Sequence, residues 1–169
     1  MRIKTSLALG FCMLLLPIAS AQDYPKLKPG LWEMKRSSSR PGGNGQTLRM
    51  CLDESLQREM YDMGVGTMKG MCSKHDFKLS GGHGTGEFVC SVNGSTWHSR
   101  SNMTIDGDVG YRTEVDTTFD PPVNGQSQAH SVMEARYIGP CPAGQQPGDV
   151  LLPNGQTVNM RNMFKGGNR

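Results

Sequence analysis

Residues 111–119 read YRTEVDTTF, and the reading of this stretch decides the fold. Tyr111, Thr113, Val115, Thr117 and Phe119 alternate with Arg112, Glu114, Asp116 and Thr118. Successive side chains of a strand point to opposite faces, so this pattern describes a strand with one face buried and one in water. Wound as a helix, the same residues would scatter both classes around the axis.

Working outward, the pattern repeats on both sides. Asp106-Gly107 makes a turn before it. Ser95–Ile105 then alternates Trp97, Ser99, Ser101, Met103 and Ile105 against Thr96, His98, Arg100, Asn102 and Thr104. Glu87–Val92 places Phe88, Cys90 and Val92 on one side, and SGGHGTG (80–86) turns back to a strand over Cys72–Leu79. Downstream, Pro121-Pro122 ends the strand, and a last one runs from about Ala129 to Ile138, stopping at Gly139-Pro140-Cys141.

Nearer the start, KLKPGLWEMKR (26–36) sets Trp32, Met34 and Arg36 against Leu31, Glu33 and Lys35. SSSRPGGNGQ (37–46) is a loop, and Thr47–Leu52 is a second strand. The one helix candidate is DESLQREMYDM (53–63): Asp53 suits an N-cap, and Leu56, Met60 and Met63 fall on one side. Gly64 and Gly66 are expected to stop it. One-sided alternation with short turns means an antiparallel meander with one buried face. The expectation is a mainly β chain, a curved sheet or small open barrel with one short helix. A Trp in the first strand is its core anchor, burying about 150–250 Å².

Residues 1–21, MRIKTSLALGFCMLLLPIASA, have a positive start at Arg2 and Lys4, a short apolar run, and Ala19-Ser20-Ala21 as a cleavage site. This is the layout of a secretory signal peptide cut after Ala21. The apolar run falls short of the roughly 20 residues a bilayer span needs. Without the leader, the 18 basic residues become 16 against 15 acidic. Such a balance excludes nucleic acid as the expected partner. Residues 22–141 are expected to form the domain, and 142–169, rich in Gly, Gln, Asn and Pro, a mostly flexible polar tail with a candidate hairpin turn at Pro153-Asn154-Gly155.

Five cysteines less Cys12 of the leader leaves Cys51, Cys72, Cys90 and Cys141. An even number in an exported chain points to two disulfides. Spacing leaves all three pairings open; Cys51–Cys72 with Cys90–Cys141 is expected, because each bridge would close a compact unit. The chain-entropy model gives them roughly 3 and 4 kcal/mol.

Several of these residues together resemble a family of exported bacterial proteins, domain of unknown function 3617. They are Lys28-Pro29-Gly30-Leu31-Trp32-Glu33 after a leader, Cys51-Leu52, the Cys72 and Cys90 hairpin, and Arg136-Tyr137-Ile138-Gly139-Pro140-Cys141. The resemblance covers about residues 26–142. It implies a periplasmic, mainly β domain and carries over no catalytic residues.

The residues themselves offer few chemical motifs. Ser, His and Asp are present without a G-x-S-x-G elbow, and the glycine-rich turns lack a P-loop lysine. His75, His83, His98 and His130 are scattered, with no paired-ligand spacing. The expectation is a non-enzymatic domain without a cofactor, binding a small molecule or an envelope protein. Its ligand face would lie near Trp97, Tyr111 and Phe119. Arg136 would pair with Glu114 or Glu33, or face a ligand carboxylate. An alternative rests on Met60, Met63, Met68, Met71 and His75. Soft thioethers select Cu(I), so this cluster is a candidate copper site.

Overall fold

The computed structural model describes residues 24–40 and 45–162; the leader lies outside them. Nine strands and one helix follow in chain order: β1 (Gly30–Ser38), β2 (Gln46–Leu52), α1 (Glu54–Met71), β3 (Cys72–Ser80), β4 (His83–Val92), β5 (Ser95–Asp106), β6 (Gly110–Val123), β7 (Gln126–Gly139), β8 (Asp149–Leu151) and β9 (Thr157–Asn159). They form one open sheet in the order β3-β4-β5-β6-β7-β1-β2-β8-β9. Every neighbouring pair is antiparallel.

The alternation sets the register. Tyr111 lies opposite Ile105 on β5 and Ala135 on β7, and Phe119 opposite Trp97. The less polar rows of five strands thereby merge into one inner face. β3 to β7 follow one another through tight turns. Asn93-Gly94 and Asn124-Gly125 both hold positive φ, the two-residue turn whose twist suits a hairpin. β6 runs through Pro121-Pro122 to Val123, past the expected stop, and the chain reverses at Asn124-Gly125.

The helix corrects one expectation and explains itself in doing so. Asp53 is its N-cap, the carboxylate accepting from the Leu56 amide at 2.7 Å. It does not stop at Gly64 or Gly66 but continues to Met71. β2 and β3 stand six places apart in the sheet, roughly 29 Å at about 4.8 Å per strand. The 18 residues of α1 span about 27 Å. The helix is the crossover from an inner strand to the far edge, and that demand outweighs a glycine penalty of about 1 kcal/mol each.

The core gathers where α1 begins. Trp32, Met50, Leu52, Leu56, Ala135 and Val150 are buried together, Trp32 and Leu56 completely. Val150 shows that the expected tail is part of the fold. β8 pairs with β2, β9 pairs with β8, and Arg161 reaches back to Glu59 at 3.0 Å. The β2 edge needed a partner, and this hairpin supplies one.

The disulfides are Cys51–Cys141 and Cys72–Cys90, which overturns the expected Cys51–Cys72 and Cys90–Cys141. α1 holds Cys51 and Cys72 at its opposite ends, far beyond the roughly 7 Å Cα separation a disulfide tolerates. Cys51 and Gly139 instead flank Leu31 from either side, which brings Cys141 to Cys51. Cys72 lies directly across from Cys90.

Candidate binding groove

Between α1 and the inner face lies a cavity of about 450 Å³. Its floor is laid by alternation: Met34 from β1, Met50 and Leu52 from β2, Met103 from β5, Tyr111, Thr113 and Val115 from β6, and Met133 from β7. Its roof is the first half of α1, through Gln57, Met60 and Tyr61, and the leading segment Tyr24, Pro25 and Leu27. Methionine, unbranched and polarizable, adapts to irregular contacts.

Two contacts hold the roof. The Gln57 side chain accepts from the Leu27 amide and donates to the Leu27 carbonyl, both at 2.9 Å. Gln57 is thus buried without an unpaired polar atom. Tyr24 stacks on Tyr61 with centroids 5.1 Å apart. Within the groove, the Tyr111 hydroxyl points to the Met133 sulfur at 3.8 Å, and burial pushes its pKa up. Arg36 is the one charged side chain of the lining.

Beyond the groove the inner face changes character. Ser99 and Thr117 hydrogen-bond to each other at 2.9 Å, and Trp97 meets Phe119 edge-on at 5.0 Å. The Trp97 indole N–H is buried with no hydrogen-bond partner, the one such side-chain atom among the described residues. Arg40 lies over the Phe119 ring at 5.5 Å. Gly84 and Gly86 are buried under Phe77 and Phe88; a Cβ on Gly86 would stand 2.6 Å from the Phe88 ring.

The expected ligand face is therefore divided. Tyr111 lines the groove, while Trp97 and Phe119 pack together farther along the same face. Arg136 is on the opposite face, so these four residues do not bound one site. It meets Glu33, its neighbour across β1 and β7, at 2.6 Å. Arg49, the neighbour on β2, binds the other Glu33 oxygen at 3.2 Å. Lys35 stands 3.9 Å away. Glu33 is 6 % exposed, and hydrogen bonds from Arg136 and then Arg49 hold its carboxyl below the usual range against the opposing effect of burial.

The methionines do not converge either. Met60 lines the groove, whereas Met63 and Met71 are exposed. An unbroken helix places Met60 and Met71 about 16 Å apart along its axis, and His75 lies beyond it on β3. Among the described residues no three His, Cys, Asp or Glu side chains form a metal-holding group. The groove residues that sequence reasoning left out, Met34, Met50, Met103 and Met133, do alternate correctly. Only the strand order brings them together.

The fold and groove define a disulfide-bonded antiparallel sheet domain with a helix laid across one face. The chain belongs to the family described as protein of unknown function (DUF3617), whose model matches residues 27–141. No curated protein and no solved structure matches it. Both sequence ends that carried the resemblance meet in the structure. Trp32 donates to the Lys28 carbonyl at 2.8 Å and lies edge-on to Tyr137 at 6.2 Å. Gly30 has φ +143°, and a Cβ there would stand 2.5 Å from the Gly139 carbonyl oxygen. Glu33 meets Arg136. These residues clasp β1 to β7, which is a structural duty. The match ends before the β8–β9 hairpin.

Proposed function

We propose that this protein is an exported, non-enzymatic binding domain of the bacterial periplasm that holds a small, mainly apolar molecule between α1 and the sheet. The observation that carries this reading is the groove itself. Its volume of about 450 Å³ lies within the roughly 300–1,000 Å³ usual for small-molecule sites. Its lining is aliphatic, thioether and aromatic, with few polar groups to fix orientation. Two disulfides suit an oxidising compartment, and no described helix is long and apolar enough to cross a membrane. The leader and the cysteines motivate the periplasmic assignment.

The test is a native mass spectrum of the full chain exported to, and purified from, a bacterial periplasm. A retained organic molecule, displaced when Met133→Lys places a charge in the groove, supports the reading. An empty protein that also fails to take up the apolar dye 1-anilinonaphthalene-8-sulfonate overturns it. The mass also fixes the cleavage site after Ala21 and the number of disulfides.

A further inference from the structure

The inner face is graded, and Arg36 stands where the grade changes. Under α1 the floor is apolar: Met34, Met50, Tyr111 and Met133. Past Val115 and Ser131 the same face carries hydroxyls, with Ser99 and Thr117 bonded to each other. Arg36 projects from β1 opposite Met133 of β7 and lines the groove at this boundary.

Its electrostatic position sets it apart. Arg49, Arg100, Arg112, Arg136 and Arg161 each meet a carboxylate. Arg40 covers the Phe119 ring. Among the described residues, Arg36 and Arg58 are the arginines with neither an ion-pair nor a cation–π partner, and of the two only Arg36 lines the groove. A guanidinium presents a planar fork suited to carboxylate or phosphate, and here it caps an apolar trough in which no other described residue of the lining is charged.

We infer that the groove takes a single-chain anionic amphiphile, with its hydrocarbon chain along the methionines under α1 and its carboxylate or phosphate head on Arg36. This rests on the binding reading above and adds the chemical class of the ligand. A cavity near the lower end of the usual range suits one chain rather than two.

The experiment titrates the lipid-extracted, disulfide-intact mature protein with octanoate, decanoate, decyl phosphate and 1-decanol, in calorimetry below micelle-forming concentrations. Decanoate or decyl phosphate should bind about tenfold tighter than decanol, the scale of a partly exposed charge-assisted hydrogen bond. Each added methylene should tighten binding by up to about fourfold. Arg36→Gln should remove the preference for the anions while leaving decanol affinity unchanged. The tighter of the two anions names the head group. Equal binding of decanol and the anions, or a preference that survives Arg36→Gln, overturns this inference and leaves the apolar groove standing. Failure of all four to bind overturns the groove reading along with it.

Discussion

One face of one sheet is finished in two different ways. At the end near β1 and β2, Trp32 donates its indole N–H to the Lys28 carbonyl and is completely buried. At the other end, Trp97 rests on Phe119 with its buried indole N–H unanswered. Both tryptophans come from alternating strands of similar composition. What differs is the cover. The first end lies under the capped start of α1, the leading segment and the β8–β9 hairpin, and is stapled by Cys51–Cys141. Toward β3, α1 carries glycines and exposed Met63 and Met71. The groove occupies the transition between a region built for stability and one left adaptable.

The sharpest way to break this comparison is through the disulfides. The Cys51–Cys141 bridge spans 90 residues and Cys72–Cys90 spans 18. Replacing the first pair with alanine should cost about 5 kcal/mol and the second about 3, read from urea unfolding. Equal losses would mean that the two ends are not differently secured. Next, Trp32→Ala should lose about 3–5 kcal/mol, while Trp97→Ala should lose only about 1. A reversed order would place the core at the wrong end.

A smaller effect is expected from removing residues 143–169. That truncation exposes Val150's neighbours at a cost of about 1.5–3 kcal/mol. It also leaves β2 an open edge, so the shortened protein should self-associate in sedimentation experiments. A truncated chain that stays monomeric and equally stable would show the hairpin to be ornamental.

The smallest effects are electrostatic. The folded Glu33 carboxyl titrates below the ordinary value of 4.5, so in acid the unfolded chain binds the extra proton. Its contribution is complete above about pH 4.5 and is lost as pH falls through the folded pKa. Melting temperature measured from pH 3 to 7 should show this acid limb, and Glu33→Gln should flatten it. Glu87 is also held low, by Lys74, but that pair is exposed and its contribution should fade in salt. An acid limb untouched by Glu33→Gln would deny the cluster its role.

Local chemistry made much of this legible in advance. Period-two alternation located the first seven strands to within a few residues, because a half-buried strand must alternate. Asp53 announced the helix start because a carboxylate satisfies the free amide of Leu56. The pairing of Arg136 with Glu33 was one of the expected options, since both belong to outward rows. The far end of the helix was not legible. Gly64 and Gly66 carry a local preference to stop, and only the distance from β2 to β3 overrides it. In the tail only the turn at Pro153-Asn154-Gly155 was legible, and it does join β8 to β9; three-residue strands such as Asp149–Leu151 are too short to show a period, so their place in the sheet was missed.

By itself, then, the sequence determined the two-faced strands, their turns, the helix start and the even set of cysteines, all consequences of neighbours within a few residues. The tertiary structure decided which strands adjoin. From that came the partners of Cys51 and Cys72, the capture of Val150, and the convergence of Met34, Met50, Met103 and Met133 beside Arg36. Side chains from five strands, α1 and the leading segment meet in the groove only after the register is set. Strand order depends on long-range pairing across the whole chain, and no local window of sequence contains it.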